Sequence, residues 1–148
     1  MKFFTKEWWF GDSEGDDLVF ERYRDYIESV RDRLPSQLVD LYENHTLHDA
    51  EVKRVSMSAT GGTVELELLG WDVELQNHVR YKLIFSGVSS FEQVLPEAEY
   101  VEQELGDLGY WECEHLGSEV EMRMLFATEA TFTARFSGFA FQACGVRA

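Results

Sequence analysis

The sequence predicts an α+β fold in which two N-terminal helices pack on one face of a mainly antiparallel sheet of about six strands. Apolar residues recur at helical spacing from Val19 to Leu34, and the period changes to two after Asp49. From there to the end, alternating segments are separated by turn residues such as Gly61-Gly62 and Gly117-Ser118.

The first helix places Val19, Tyr23, Tyr26, Ile27, Val30 and Leu34 on one face, with Arg22, Arg24, Asp25, Glu28, Arg31 and Asp32 opposite. The acidic stretch Gly11 to Asp17 leads into it, with Ser13 as an N-cap and Asp16 in the first turn. Pro35 disfavours helical geometry at Leu34 and suits the start of a second, short helix, which runs through about Glu43 with Leu38, Leu41 and Tyr42 on its apolar side. Ahead of both helices, Phe3, Phe4, Trp8, Trp9 and Phe10 read as a short strand or an anchored arm, because so many aromatics would not be left in water.

The first hairpin follows. Val55, Met57 and Ala59 alternate with polar residues before Gly61-Gly62, and Val64, Leu66 and Leu68 alternate after it. Val79, Tyr81, Leu83 and Phe85 give a third strand. Ser89 to Leu108 loses the alternation and reads as a long excursion containing Pro96 and Gly106. The last three strands are Tyr110 to Leu116, Glu119 to Phe126 and Thr131 to Phe141, with Val120, Met122, Met124, Phe126, Phe132, Ala134 and Phe136 facing inward. No internal repeat is visible. At 148 residues the reading is one domain spanning 1–148.

Composition narrows the function classes. Hydrophobic residues make up 45% and aromatics 14%, enough to build a core without disulfides or metal. The basic, aromatic start lacks a continuous apolar stretch and a cleavage site, so it is not read as a secretory signal, and no segment reaches the roughly 18 to 20 apolar residues of a membrane span. The expected setting is cytoplasmic, with Cys113 and Cys144 as reduced thiols. A formal charge of -15 repels phosphate backbones and anionic headgroups, which argues against nucleic acid or membrane as partners.

Few residues carry chemistry. His45, His48 and Asp49 lie close together where the second helix meets the first strand, and such side chains can bind zinc or move protons. The helical HExxH spacing is absent, and His78 and His115 are distant in sequence, so the expected role of His48 and Asp49 is to tie the helix end to the first strand by hydrogen bonds. Asp12 to Asp17 has oxygen ligands in the alternation of a calcium loop. It has Asp17 where Gly belongs and Tyr23 where a bidentate Glu belongs. Cys113 and His115 share a strand face with no third group to orient them, and no nucleophile elbow, phosphate loop or dinucleotide fingerprint is present. No cofactor is expected.

The least ordinary feature is the window from Leu83 to Met122. It holds no Lys or Arg between those ends, yet carries Glu92, Glu97, Glu99, Glu102, Glu104, Asp107, Glu112, Glu114, Glu119 and Glu121. Exposed, such a surface attracts a basic partner, and Tyr100, Tyr110 and Trp111 add the aromatics that interfaces favour.

Met1 to Trp8 resembles the opening of an uncharacterised family of small bacterial proteins that begin Met-Lys-aromatic-Phe-Thr-Lys-Glu-Trp. The likeness extends to Leu47-His48-Asp49 before the sheet, to Phe85 to Val88 at a strand end, and to Tyr110 to Glu114. It brings no activity with it. More loosely, the chain is similar to immunity proteins of bacterial toxin systems, small acidic α+β domains with a His-Asp pair before a sheet, which bind and block a basic toxin. The sequence therefore predicts a non-enzymatic acidic binding protein that docks a basic protein partner through Glu97, Glu99, Tyr100, Glu102, Glu104, Asp107 and Trp111. The alternatives are a metal-assisted enzyme centred on His45, His48 and Asp49, and a ligand-binding domain with an aromatic pocket fed by Trp8, Trp9 and Trp71.

Overall fold

The computed structural model describes residues 1–11, 18–58, 60–96 and 105–146. Among these residues, three α-helices near the N-terminus are followed by eight antiparallel strands in two four-stranded sheets. The architecture is α+β, but the expected sheet of about six strands is instead two sheets of four.

The aromatic N-terminal segment is helical over Lys6–Phe10 (α1), neither strand nor extended arm there, because the Thr5 side chain caps it by accepting from Trp8 N–H at 3.1 Å. Helix α2 spans Leu18–Val30 and buries Val19, Tyr23, Ile27 and Val30. The expected helix end at Leu34 is tightened into a 3-10 turn, Arg31–Arg33, and α3 runs Ser36–Asn44 behind Pro35. The proposed Ser13 cap and the Asp12 to Asp17 loop lie outside the described residues, as does Ala59.

The first sheet has the order β1 (Glu51–Met57), β2 (Val64–Trp71), β3 (His78–Ser86), β8 (Gly138–Gly145). The second has the order β4 (Ser90–Val94), β7 (Thr131–Phe136), β6 (Glu119–Phe126), β5 (Leu108–Leu116). Leu66, Leu83 and Phe85 from one meet Met122, Met124 and Phe136 from the other in a shared core, with the Phe85 and Phe136 rings 5.0 Å apart. The alternation of Val55 and Met57 does not bury them: β1 is an edge strand, and these side chains are 36% and 65% exposed.

Two further corrections share one cause. The strand expected over Thr131 to Phe141 is two strands that bend at Ser137 and enter different sheets, and the excursion after Ser89 contains β4. Chain segments β3–β4 and β7–β8 stay paired around this corner, Ser137 N–H donating to Ser86 O and Ser89 N–H to Arg135 O. Gly87 makes the bend possible. Its φ is +59°, and a Cβ there would lie 2.0 Å from Ser137 Oγ.

The helices close sheet edges instead of lying together on one face. Tyr23 OH accepts from Cys113 N–H at 2.9 Å and Tyr26 OH from His115 N–H at 2.8 Å, so α2 satisfies the outward donors of edge strand β5. Three helical residues advance about 4.5 Å and two strand residues about 6.6 Å, a mismatch the long tyrosines absorb. On β8, Phe141 N–H donates to Gln37 Oε1 of α3 at 3.0 Å.

The N-terminal segment is anchored by a buried carboxylate. Glu112 is 1% exposed and accepts from three successive backbone N–H groups, Lys2 at 2.9 Å and Phe3 and Phe4 at 3.1 Å. Its countercharge is Arg123, directly across the β5–β6 ladder, with Nη1 at 3.4 Å. The same guanidinium hydrogen-bonds Glu114, and its Nε sits 3.1 Å from Glu121 in ion-pair contact without hydrogen-bond alignment. Removing Glu112 takes the acceptor from three backbone N–H groups and its most buried carboxylate partner from Arg123. Glu112→Ala is expected to lower unfolding free energy by about 3–5 kcal/mol in denaturant titrations. Faster amide exchange at Lys2 to Phe4 should accompany it, and unchanged exchange there would show that the carboxylate does not hold the segment.

Candidate functional site

A groove of about 560 Å³ opens between α2, the turn after α3 and strand β5. Helix α2 contributes Phe20, Glu21, Tyr23 and Arg24 to it, and β5 contributes Gly109, Tyr110 and Trp111. Tyr42, His45, Thr46, Leu47 and His48 form the opposite wall, and Phe4 of the anchored N-terminal segment closes one end. Phe4 stacks on Tyr110 with centroids 5.3 Å apart, and Tyr42 meets Trp111 edge-on at 6.3 Å. Trp8 and Trp9 pack behind Tyr110 at 4.9 and 5.1 Å. Gly109 is required beneath Trp9, since a Cβ there would fall 2.1 Å from the indole.

The sequence-predicted residues divide unequally over this site. His48 Nδ1 lies 2.7 Å from Gly109 O, and Asp49 N–H donates to Leu108 O at 2.8 Å. Both ties run to β5, whereas the expected partner was the first strand. His45 packs against Tyr81 and Phe141 at 5.8 and 5.0 Å, and its only link to His48 is the groove they both line. Among the described residues, no group of three or more His, Cys, Asp or Glu is placed to hold a metal ion. Trp71 does not join Trp8 and Trp9. It stacks on His78 at 3.9 Å, where β2 ends and β3 begins.

The acidic window is likewise redistributed. Glu112, Glu114 and Glu121 converge on Arg123, Lys2 pairs with Glu114, Arg135 pairs with Glu121 at 2.6 Å, and Glu119 accepts from Ser89 Oγ. Glu112, Glu114 and Glu121 are opposed by cations across the ladder or at the chain start, which a linear window does not display. Glu92 and Asp107 are exposed, and Trp111 is half-buried in the groove. Glu97, Glu99, Tyr100, Glu102 and Glu104 lie outside the described residues.

Arg24, Phe20 and Tyr42 are groove residues that sequence reasoning missed as site residues. The available signal was Phe20, an aromatic outside the apolar face of α2, where it is 47% exposed. Arg24 has Glu21 three residues before it and Glu28 four after, yet among the described residues it makes no ion pair, and Glu28 pairs with Arg31. Burial, followed by the nearby Cys113 and Glu28 charges against that of Arg24, raises the Tyr42 phenol above its ordinary value.

A second concavity, of about 590 Å³, lies along β1, β2, β3 and β8 and is lined by Lys53, Arg80, Lys82 and Cys144. Lys53 and Lys82 are paired with Glu51 and Glu65, and Tyr81 is its only aromatic lining residue. The first groove gathers Phe4, Phe20, Tyr42, Tyr110 and Trp111 against that single ring and is the better candidate. No family model matches the chain, and no curated protein or solved structure matches it.

Cys113 stands behind the groove wall with Tyr23 OH 3.6 Å from its sulfur. Burial pushes its thiol up to about 11, above what the Tyr23 hydrogen bond offsets, and so disfavours the thiolate a nucleophile needs. Cys144 is exposed. Ellman's reagent at pH 8 is therefore expected to modify one thiol per folded chain and the second only on unfolding. Two rapid equivalents would show that Cys113 is open to solvent.

Proposed function

We propose that this chain is a non-catalytic binding protein whose ligand site is the aromatic groove between α2, the α3–β1 turn and β5. The observation that carries the reading is the convergence of Tyr42, Tyr110 and Trp111 with Arg24, which has no ion pair among the described residues, in one open concavity of about 560 Å³. Rings supply apolar contact at low conformational cost, and a few polar groups orient what lies among them. N-phenyl-1-naphthylamine, an uncharged two-ring probe, is expected to bind saturably with a fluorescence increase. Phe20→Ala and Tyr42→Leu should each weaken it about tenfold, as truncation of an anchoring ring does. Absence of saturable binding would defeat the proposal.

A second reading, docking of a basic protein, is favoured by a different observation. Phe10, Leu18 and Phe20 are 46%, 61% and 47% exposed, and the sequence between Phe10 and Leu18 carries Asp12, Glu14, Asp16 and Asp17. The resemblance to immunity proteins points the same way. A nona-arginine peptide is expected to bind, and its affinity should fall steeply between 50 and 200 mM salt as screening grows. Salt-independent binding would rule out the charge-driven contact.

A further inference from the structure

Resting on the groove reading, we infer that the groove's ligand is a planar organic anion, a carboxylate, sulfonate or phosphate borne on an aromatic ring system. The groove walls offer donors in the Arg24 guanidinium, the His45 ring and the hydroxyls of Tyr42 and Tyr110, and of these only the guanidinium cannot also accept. Two nearby acceptors already have a partner, since Gly109 O meets His48 Nδ1 and Thr46 Oγ1 accepts from His48 N–H at 3.2 Å. Glu21 is the one carboxylate on the lining. A guanidinium fork matches a carboxylate, sulfonate or phosphate.

Arg24 gives the argument its weight. Among the described residues Arg24 has no ion pair, nor do Arg33, Arg54 and Arg80, but of these four only Arg24 lines the aromatic groove. Charge complementarity therefore selects an anion locally, even though the overall charge of -15 repels anions at long range. The two effects separate with salt. Moderate salt screens the long-range repulsion while a ligand seated against Arg24 keeps its contact, so anion affinity should hold or rise where that of a basic peptide falls.

The test compares two probes with one skeleton, 8-anilino-1-naphthalenesulfonate and uncharged N-phenyl-1-naphthylamine, titrated into the intact chain. The sulfonate is expected to bind more tightly. Arg24→Gln should weaken it about tenfold, the order of a lost charge-assisted hydrogen bond, without changing the uncharged probe. Arg24→Lys should restore part of the loss, and Lys53→Gln, which removes the same charge elsewhere, should have no effect. Unchanged circular dichroism of the Arg24 variants confirms that they fold. If the uncharged probe binds and the sulfonate is no tighter, or is indifferent to Arg24→Gln, the anion assignment falls while the groove reading stands. If neither probe binds, both fall.

Discussion

The Glu112 carboxylate joins parts of the molecule that are far apart in sequence. It gathers the N–H groups of Lys2, Phe3 and Phe4, and its position across the ladder from Arg123 brings Glu114 and Glu121 to the same cation. Three consecutive amides around one carboxylate specify register as well as position, because a one-residue slip would orphan a buried donor. Phe4 is thereby held against Tyr110 at the end of the groove. The wall of the candidate site is a downstream effect of an ion pair in the interior.

Edge management explains much of what surrounds this centre. Strand β5 is covered by tyrosine hydroxyls from α2, and β8 by Gln37 from α3. Of the two other edges, β4 is five residues long and β1 carries a register shift between Val52 and Arg54. Both devices discourage pairing with another chain. The groove exists because α2 stands off β5 by the length of a tyrosine side chain, with Tyr23 and Tyr26 acting as spacers.

Helices α2 and α3 and strands β2, β3, β5 and β6 are legible in the sequence because each has one strongly apolar face. Strand β4 is not, since Phe91 is the only large apolar side chain before Val94 and the polar ones are exposed. The corner at Ser137 left a readable trace: Phe136 and Phe139 are both buried but three residues apart, a spacing that breaks the period of two. The acid pairing was hidden for another reason. Arg123 and Arg135 oppose Glu112 and Glu121 through register, which a window along the chain does not sample. For the groove, His48 and Trp111 could be singled out beforehand, whereas Arg24 and Tyr42 read as ordinary helix-face residues until the fold set them opposite one another.

The corner-turning ribbon also bears on the order in which the molecule can be assembled. Strand β3 lies between β2 and β8, so its second edge stays open until residues 138–145 have been made. The N-terminal aromatic segment must similarly wait for Glu112. During synthesis, the early hairpin β1–β2–β3 would be exposed with Leu66, Leu83 and Phe85 uncovered, and closure would come late and nearly all at once. A chain of this topology should depend on protection during translation more than its size suggests.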